Sequence, residues 1–136
     1  MSTLQPLSTQ GKIALVAEIL TEYVPSWRIL GQSNVIEMVR AARDVEPTRP
    51  HVSAHQEHDT ARRLGRAVLR TLRLLPTDSR CLIRSLVLTR LLARRSIPNT
   101  LVIGVRKTSE FEAHAWIEHN GQPILPAGDY TRLTEL

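Results

Sequence analysis

Apolar residues recur at helical spacing up to about residue 95 and then switch to short β-branched runs. In residues 11–24, Ile13, Val16, Ala17, Leu20 and Val24 fall on one helix face. Pro25 predicts the end of that helix. A shorter helix is predicted from Ser33 to Arg43, with Ser33 or Asn34 as N-cap and Val35, Ile36, Met38 and Val39 on its apolar side. Residues 44–53 contain Pro47 and Pro50 and read as a linker. A third helix, from about Ala54 to Leu75, carries Leu64, Ala67, Val68, Thr71, Leu72 and Leu75 on one face; Arg62, Arg63, Arg66, Arg70 and Arg73 cover the rest. Pro76-Thr77-Asp78-Ser79 is a break that supplies capping residues. The near-continuous apolar run CLIRSLVLTRLLARR, residues 81–95, then predicts the central buried helix. Its C-terminal Arg94 and Arg95 suit the negative end of the helix dipole.

Beyond Ser96-Ile97-Pro98-Asn99 the period becomes that of a strand. Residues 100–106 (TLVIGVR) and 113–119 (AHAWIEH) predict two strands, Asn120-Gly121 a two-residue hairpin turn, and residues 122–125 a third strand. Pro123 puts that third strand at a sheet edge. The expected architecture is α+β: a helical N-terminal region, 1–53, leading into residues 54–136, which end in a small antiparallel sheet, all in one compact domain.

A chain of 136 residues with 42% apolar and 23% charged side chains can bury a core without staples. The single cysteine, Cys81, forms no internal disulfide and fits a reducing compartment. No stretch approaches a membrane span, and the first twenty residues lack the pattern of a signal peptide, so a cytoplasmic protein is expected. The net charge of +5 is unevenly spread. Residues 62–106 hold eleven arginines and one acid, Asp78, while both flanking segments are net acidic. Such a block suits an anionic partner or simply solvated helix faces. Tyr23, Trp27, Phe111, Trp116 and Tyr130 are not interleaved with the arginines, which argues against a base-stacking surface and hence against nucleic acid.

The chemistry centres on Cys81 and His114. Cys81 opens the buried helix, where partial positive charge and free N–H groups favour a thiolate and can hold an oxyanion. His114 lies on a strand between Ala113 and Ala115, which leave space around the imidazole. A helix-borne thiol with a strand-borne imidazole is the layout of papain-like acyl transfer. Glu118 shares the strand face of His114 but lies roughly 13 Å away, too far to orient it. Carrying the hairpin register past Pro126 brings Asp129 to the same face, diagonally offset from His114, which makes Asp129 the candidate orienting acid. A turn residue in a C-terminal loop is the competing reading.

The runs Cys81-Leu-x-Arg-Ser-Leu, Ile97-Pro-x-Thr-Leu-Val-Ile-Gly-Val and Ala113-His-Ala-Trp-x-Glu together resemble the lasso-peptide leader peptidases, which are stand-alone transglutaminase-like cysteine proteases. The resemblance covers roughly residues 60–136 and implies a papain/transglutaminase-like core with a Cys-His-Asp triad and no cofactor. It maps Cys81 to the nucleophile and His114 to the base. The family's acid often falls in an Asn-Asp or Gly-Asp pair about where Leu125-Pro126 stand here; this chain has no acid there, and Asp129 comes three residues later. The implied substrate is the leader region of a ribosomally made precursor. The implied partners are a separate leader-binding protein, for which this chain has no room, and the ATP-dependent macrolactam synthetase that acts next. Arg62, Arg66, Arg70 and Arg73 are the expected face for a partner or an acidic leader.

Other groups weigh less. His51, His55 and His58 could share a helix face as a metal comb, but Pro50 disturbs the first of them, so no metal is expected. His119, beside the turn, reads as a surface residue, and Trp116 as a core or site-wall residue. Arg84 and Ser85 could position substrate or simply decorate a helix. No Gly-rich phosphate loop appears. Two rivals stay open: amide acyl transfer or deamidation on the same fold, and a non-enzymatic Arg-rich binding module.

Overall fold

A computed structural model describes residues 4–31, 34–73, 80–107 and 111–136. Among these residues four helices, α1 (Thr9–Ile29), α2 (Val35–Arg43), α3 (Ala54–Leu72) and α4 (Arg80–Arg94), precede four strands, β1 (Thr100–Lys107), β2 (Phe111–His119), β3 (Gln122–Pro123) and β4 (Thr131–Glu135). The strands form one antiparallel sheet in the order β3-β2-β1-β4. The fold is α+β, as the pattern implied. Asn34 caps α2, its side chain accepting the Glu37 N–H at 2.9 Å. Ser33 and the break at 76–79 lie outside the described residues.

α4 is the centre. Its Ile83, Leu86, Val87, Leu88, Leu91 and Leu92 are buried, and it packs against α1, α2, α3 and β2. The main apolar cluster joins Ile19 of α1, Val39 of α2, and Leu64 and Val68 of α3 to Trp116 and Ile117 of β2.

α1 departs from expectation twice. It runs through Pro25 instead of ending there. A proline inside a helix costs about 3 kcal/mol. The turn beyond it is retained because Ser26 and Ile29 are buried, Ile29 in a second apolar cluster with Ala42 and Leu86. The helix also presents a different face. Its buried residues are Ile19, Glu22, Ser26 and Ile29, while Ile13, Val16, Leu20 and Val24 are exposed. The cause is electrostatic. Glu18 receives a two-pronged bond from Arg95 (2.7 and 2.9 Å) and lies 3.3 Å from Arg49. Glu22 lies 3.3 Å from Arg90 and 3.4 Å from Arg94. Four arginines, three of them on α4 or just past its end, draw the acidic side of α1 inward.

The hairpin forms at Asn120-Gly121, both with positive φ (53° and 77°). The third strand is shorter than expected. It pairs only Pro123 with Glu118 and Gln122 with His119, because Ile124 and Leu125 turn to share the Ile117 carbonyl. The unexpected β4 covers the free edge of β1, with an irregularity between Ile103 and Gly104.

Candidate active site

Cys81 is the second residue of α4 and is half-buried against the main apolar cluster. The hydroxyl of fully buried Ser85, one turn on, donates to the Cys81 carbonyl at 2.8 Å, and Thr89 repeats the bond to Ser85. This ladder holds the backbone behind the thiol. Ser85 therefore supports the helix and does not face a substrate. First-turn N–H groups have no intrahelical acceptor, so they are the donors available to an oxyanion beside Sγ. The Nε of Arg84 is buried with no hydrogen-bond partner among the described residues.

His114 stands on β2 opposite Gly104 of β1. Its ring stacks on Trp116 (centroids 5.7 Å, 26°) and lies against Tyr130 (4.8 Å, 31°). Trp116 and Tyr130 are built into the same cluster as Cys81. Gly104 makes this packing possible, since a Cβ there would come within 2.7 Å of the Trp116 ring and 2.9 Å of the Thr131 carbonyl. The Trp116 N–H donates to buried Glu118 at 2.9 Å, and Arg132 of β4 clamps Glu118 at 2.7 and 2.9 Å. Burial raises the Glu118 pKa, but the bonds from Arg132 and Trp116 and the Arg132 charge outweigh it, leaving the carboxyl below its ordinary value.

The His114 Nε2 lies 2.7 Å from the Pro126 carbonyl. A carbonyl only accepts, so Nε2 carries the proton, and Nδ1 of the neutral ring holds the lone pair. That tautomer is the one a general base needs when its far nitrogen is anchored.

Asp129 is placed differently from the orienting acid of the sequence reading. Its carboxylate is three-quarters exposed and accepts from Arg106 Nη1 at 2.6 Å, which holds it below the usual carboxylate range. Arg106 also binds Glu112, lies over the Tyr130 ring at 4.6 Å, and shares Glu112 with the Tyr130 hydroxyl. Asp129 would share the His114 face only if the third strand persisted, whereas β3 stops at Pro123 and the chain turns at Gly128 with φ of 64°. Asp129 thus reaches the site through Arg106 and Tyr130. The Pro126 carbonyl had no signature in the sequence, because every residue has one. Tyr130 could have been suspected as an aromatic beside the candidate acid.

His119 is buried, not on the surface. Its Nδ1 lies 2.9 Å from His58 Nδ1 of α3, with Glu57 3.7 Å from its Nε2. Desolvation, then the nearby His58, holds its pKa below the ordinary value against the opposing pull of Glu57. His51 precedes α3 and His58 turns to His119, so the three histidines do not form one helical comb.

Residues 23–136, which include the whole sheet, all of α2 to α4 and the C-terminal part of α1, match the family model of the transglutaminase-like superfamily. The chain belongs to the transglutaminase-like superfamily. No curated protein and no solved structure matches it. Transglutaminase-like domains are cysteine-protease-like, so the chemistry this membership supports is acyl transfer through a cysteine, to water in a peptidase or to an amine in a transferase.

Proposed function

We propose that this transglutaminase-like protein is a cytoplasmic cysteine peptidase that removes the leader from a ribosomally made lasso-peptide precursor. It works with a separate leader-binding protein, ahead of the ATP-dependent macrolactam synthetase. The observation that carries the chemistry is the 2.7 Å contact of His114 Nε2 with the Pro126 carbonyl, which leaves Nδ1 as the basic nitrogen. His114 takes the thiol proton, and Cys81 Sγ attacks the scissile carbonyl. The oxyanion is met by first-turn N–H groups of α4. His114 returns the proton to the leaving amine, and the acyl-thioester remains. Water, deprotonated by His114, attacks the thioester, and the thiol leaves with its proton restored. Asp129 takes the third place indirectly, by fixing Arg106 beside the Tyr130 ring that packs on His114. The resemblance of the runs around Cys81, Ile97 and His114 supports the leader-peptidase assignment.

Mass spectrometry of the precursor, incubated with the protein and its leader-binding partner, tests the assignment. Cleavage lost in Cys81→Ala and His114→Ala is expected; no cleavage by the wild type would overturn it. The superfamily favours acyl transfer as the second reading, and an added primary amine separates the two. A precursor heavier by the amine minus ammonia, or a released leader heavier than its free acid by the amine minus water, supports transfer; the free leader acid alone supports the peptidase. A pure binding module would show Cys81 alkylated no faster than free cysteine, with no change in His114→Ala.

A further inference from the structure

The periodicity of α1 marks one apolar stripe, and the fold leaves that stripe outside. Ile13, Val16, Leu20, Val24 and Trp27 are 65, 42, 45, 54 and 40% exposed. At 3.6 residues per turn these five lie within about 80° of arc and run about 21 Å along the helix. Contiguous exposed apolar surface of this kind marks an interaction site, whereas scattered exposed residues do not. Beside it, Leu7, Leu15 and Val16 floor a groove of about 470 Å³ between α1 and α3. Its rim is basic: Lys12 on one side, Arg63, Arg66 and Arg70 on the other.

Two groups of arginines border α1. Arg49, Arg90, Arg94 and Arg95 are spent on Glu18 and Glu22 inside the molecule. Among the described residues, no carboxylate pairs with Arg66 or Arg70, and both are exposed. Apolar floor, apolar stripe and unpaired cations therefore lie side by side.

We infer that this face docks an amphipathic helix of a separate protein whose apolar ridge is bordered by Asp and Glu. Charge complementarity selects that occupant. A second copy would bring two arginine rims together, and a flat bilayer would leave the concave groove unfilled. The ridge would lie along Val16, Leu20 and Trp27, with a side chain entering the groove and carboxylates meeting Arg66 and Arg70. Docking here needs neither Cys81 nor His114.

The test uses a labelled synthetic helical peptide with leucines along one face and glutamates along its borders, read by fluorescence anisotropy. Saturable binding is expected, weakened by salt. Arg66→Glu with Arg70→Glu, and separately Leu20→Asp, should each weaken it at least about tenfold, as loss of an interface anchor does. These side chains are exposed, so unchanged far-ultraviolet circular dichroism and thermal midpoints would show the variants folded. Cys81→Ala should bind like the wild type. The inference is overturned if the peptide fails to bind, or if the variants bind as well as the wild type. Equal binding by a counterpart with lysines for glutamates would also overturn it. So would failure of the peptide alongside Leu20-dependent binding to phosphatidylserine vesicles, or Leu20-dependent self-association in ultracentrifugation.

Discussion

His114 is held by an oxygen that no substitution removes. The Pro126 carbonyl fixes the Nε2 proton, and the rings of Trp116 and Tyr130 hold the imidazole plane. The contribution of Asp129 can therefore be separated from that of the base. A carboxylate bonded directly to a catalytic imidazole is worth about 10⁴ in kcat. Asp129→Asn is expected to cost far less, on the order of tenfold or below, because it keeps an acceptor near Arg106 and leaves the Pro126 contact intact. Steady-state kinetics on the precursor would check this, and a loss near 10⁴ would place Asp129 on the imidazole during the reaction. Gly104 is the other residue with a sharp role. In Gly104→Ala the new methyl meets a rigid indole and a backbone carbonyl, neither of which yields cheaply. A loss of about 1–3 kcal/mol is expected in urea unfolding, as overpacking typically costs, with a changed near-ultraviolet signal from Trp116. That glycine is legible in the sequence only as a weak point in a strand. Its purpose depends on Trp116, twelve residues away on the neighbouring strand.

Pairs of elements carry the next set of interactions. α1 meets α4 through Glu18 and Glu22, and the Glu22–Arg90 pair is nearly dry, at 4 and 9% exposure. Glu22→Ala leaves Arg90 buried without its partner, and a loss of about 3–5 kcal/mol is expected in chemical denaturation. α3 meets the end of β2 through His58 and His119, and among the described residues Glu57 is the carboxylate that faces the pair. Desolvation first, then His58, depresses the folded-state pKa of His119. The unfolded chain then takes up a proton near the ordinary value of about 6.5 while the folded chain resists it. Stability from this contact is full above that pH and falls as the pH drops through it. The urea midpoint should decline on going from pH 7.5 to 5.5, and less steeply in His119→Gln. What was legible in the sequence follows the same division. The hairpin at Asn120-Gly121, the Asn34 cap and the buried α4 rest on local chemistry and were readable. The inward face of α1 was not, because the arginines that turn it lie up to seventy-seven residues further along the chain. β4 was not either: all five of its residues are exposed, so it has no apolar alternation to read, and it exists by pairing with β1.

Across the whole molecule, the strongest block of positive charge proves to be part structural and part surface. Arg90, Arg94 and Arg95 meet the acids of α1, and Arg62, Arg66 and Arg70 of α3 face outward. The helical N-terminal region is thereby the counter-charge of the segment that carries Cys81. It also closes the core. Ile19 and Val39 are members of the cluster that contains Leu88, Leu91 and Trp116, and Ile29 and Ala42 cover Leu86. Arg43 reaches the opposite end of the chain, donating to the carbonyls of Leu136 (2.7 Å) and Asn99 (3.0 Å). Two regions that share one core and one ion network are expected to unfold together. Residues 54–136 alone would expose the α1 and α2 faces of α4 and leave Arg90, Arg94 and Arg95 without Glu18 or Glu22. That fragment should show no cooperative thermal transition, and its Cys81 should alkylate at the rate of an unstructured thiol. Adding residues 1–53 as a separate polypeptide should restore a transition that depends on concentration, since association then replaces an intramolecular contact. A sharp, independent transition in the 54–136 fragment would instead make residues 1–53 an appendage. The wedge of α1 between the arginines and solvent would then serve docking alone.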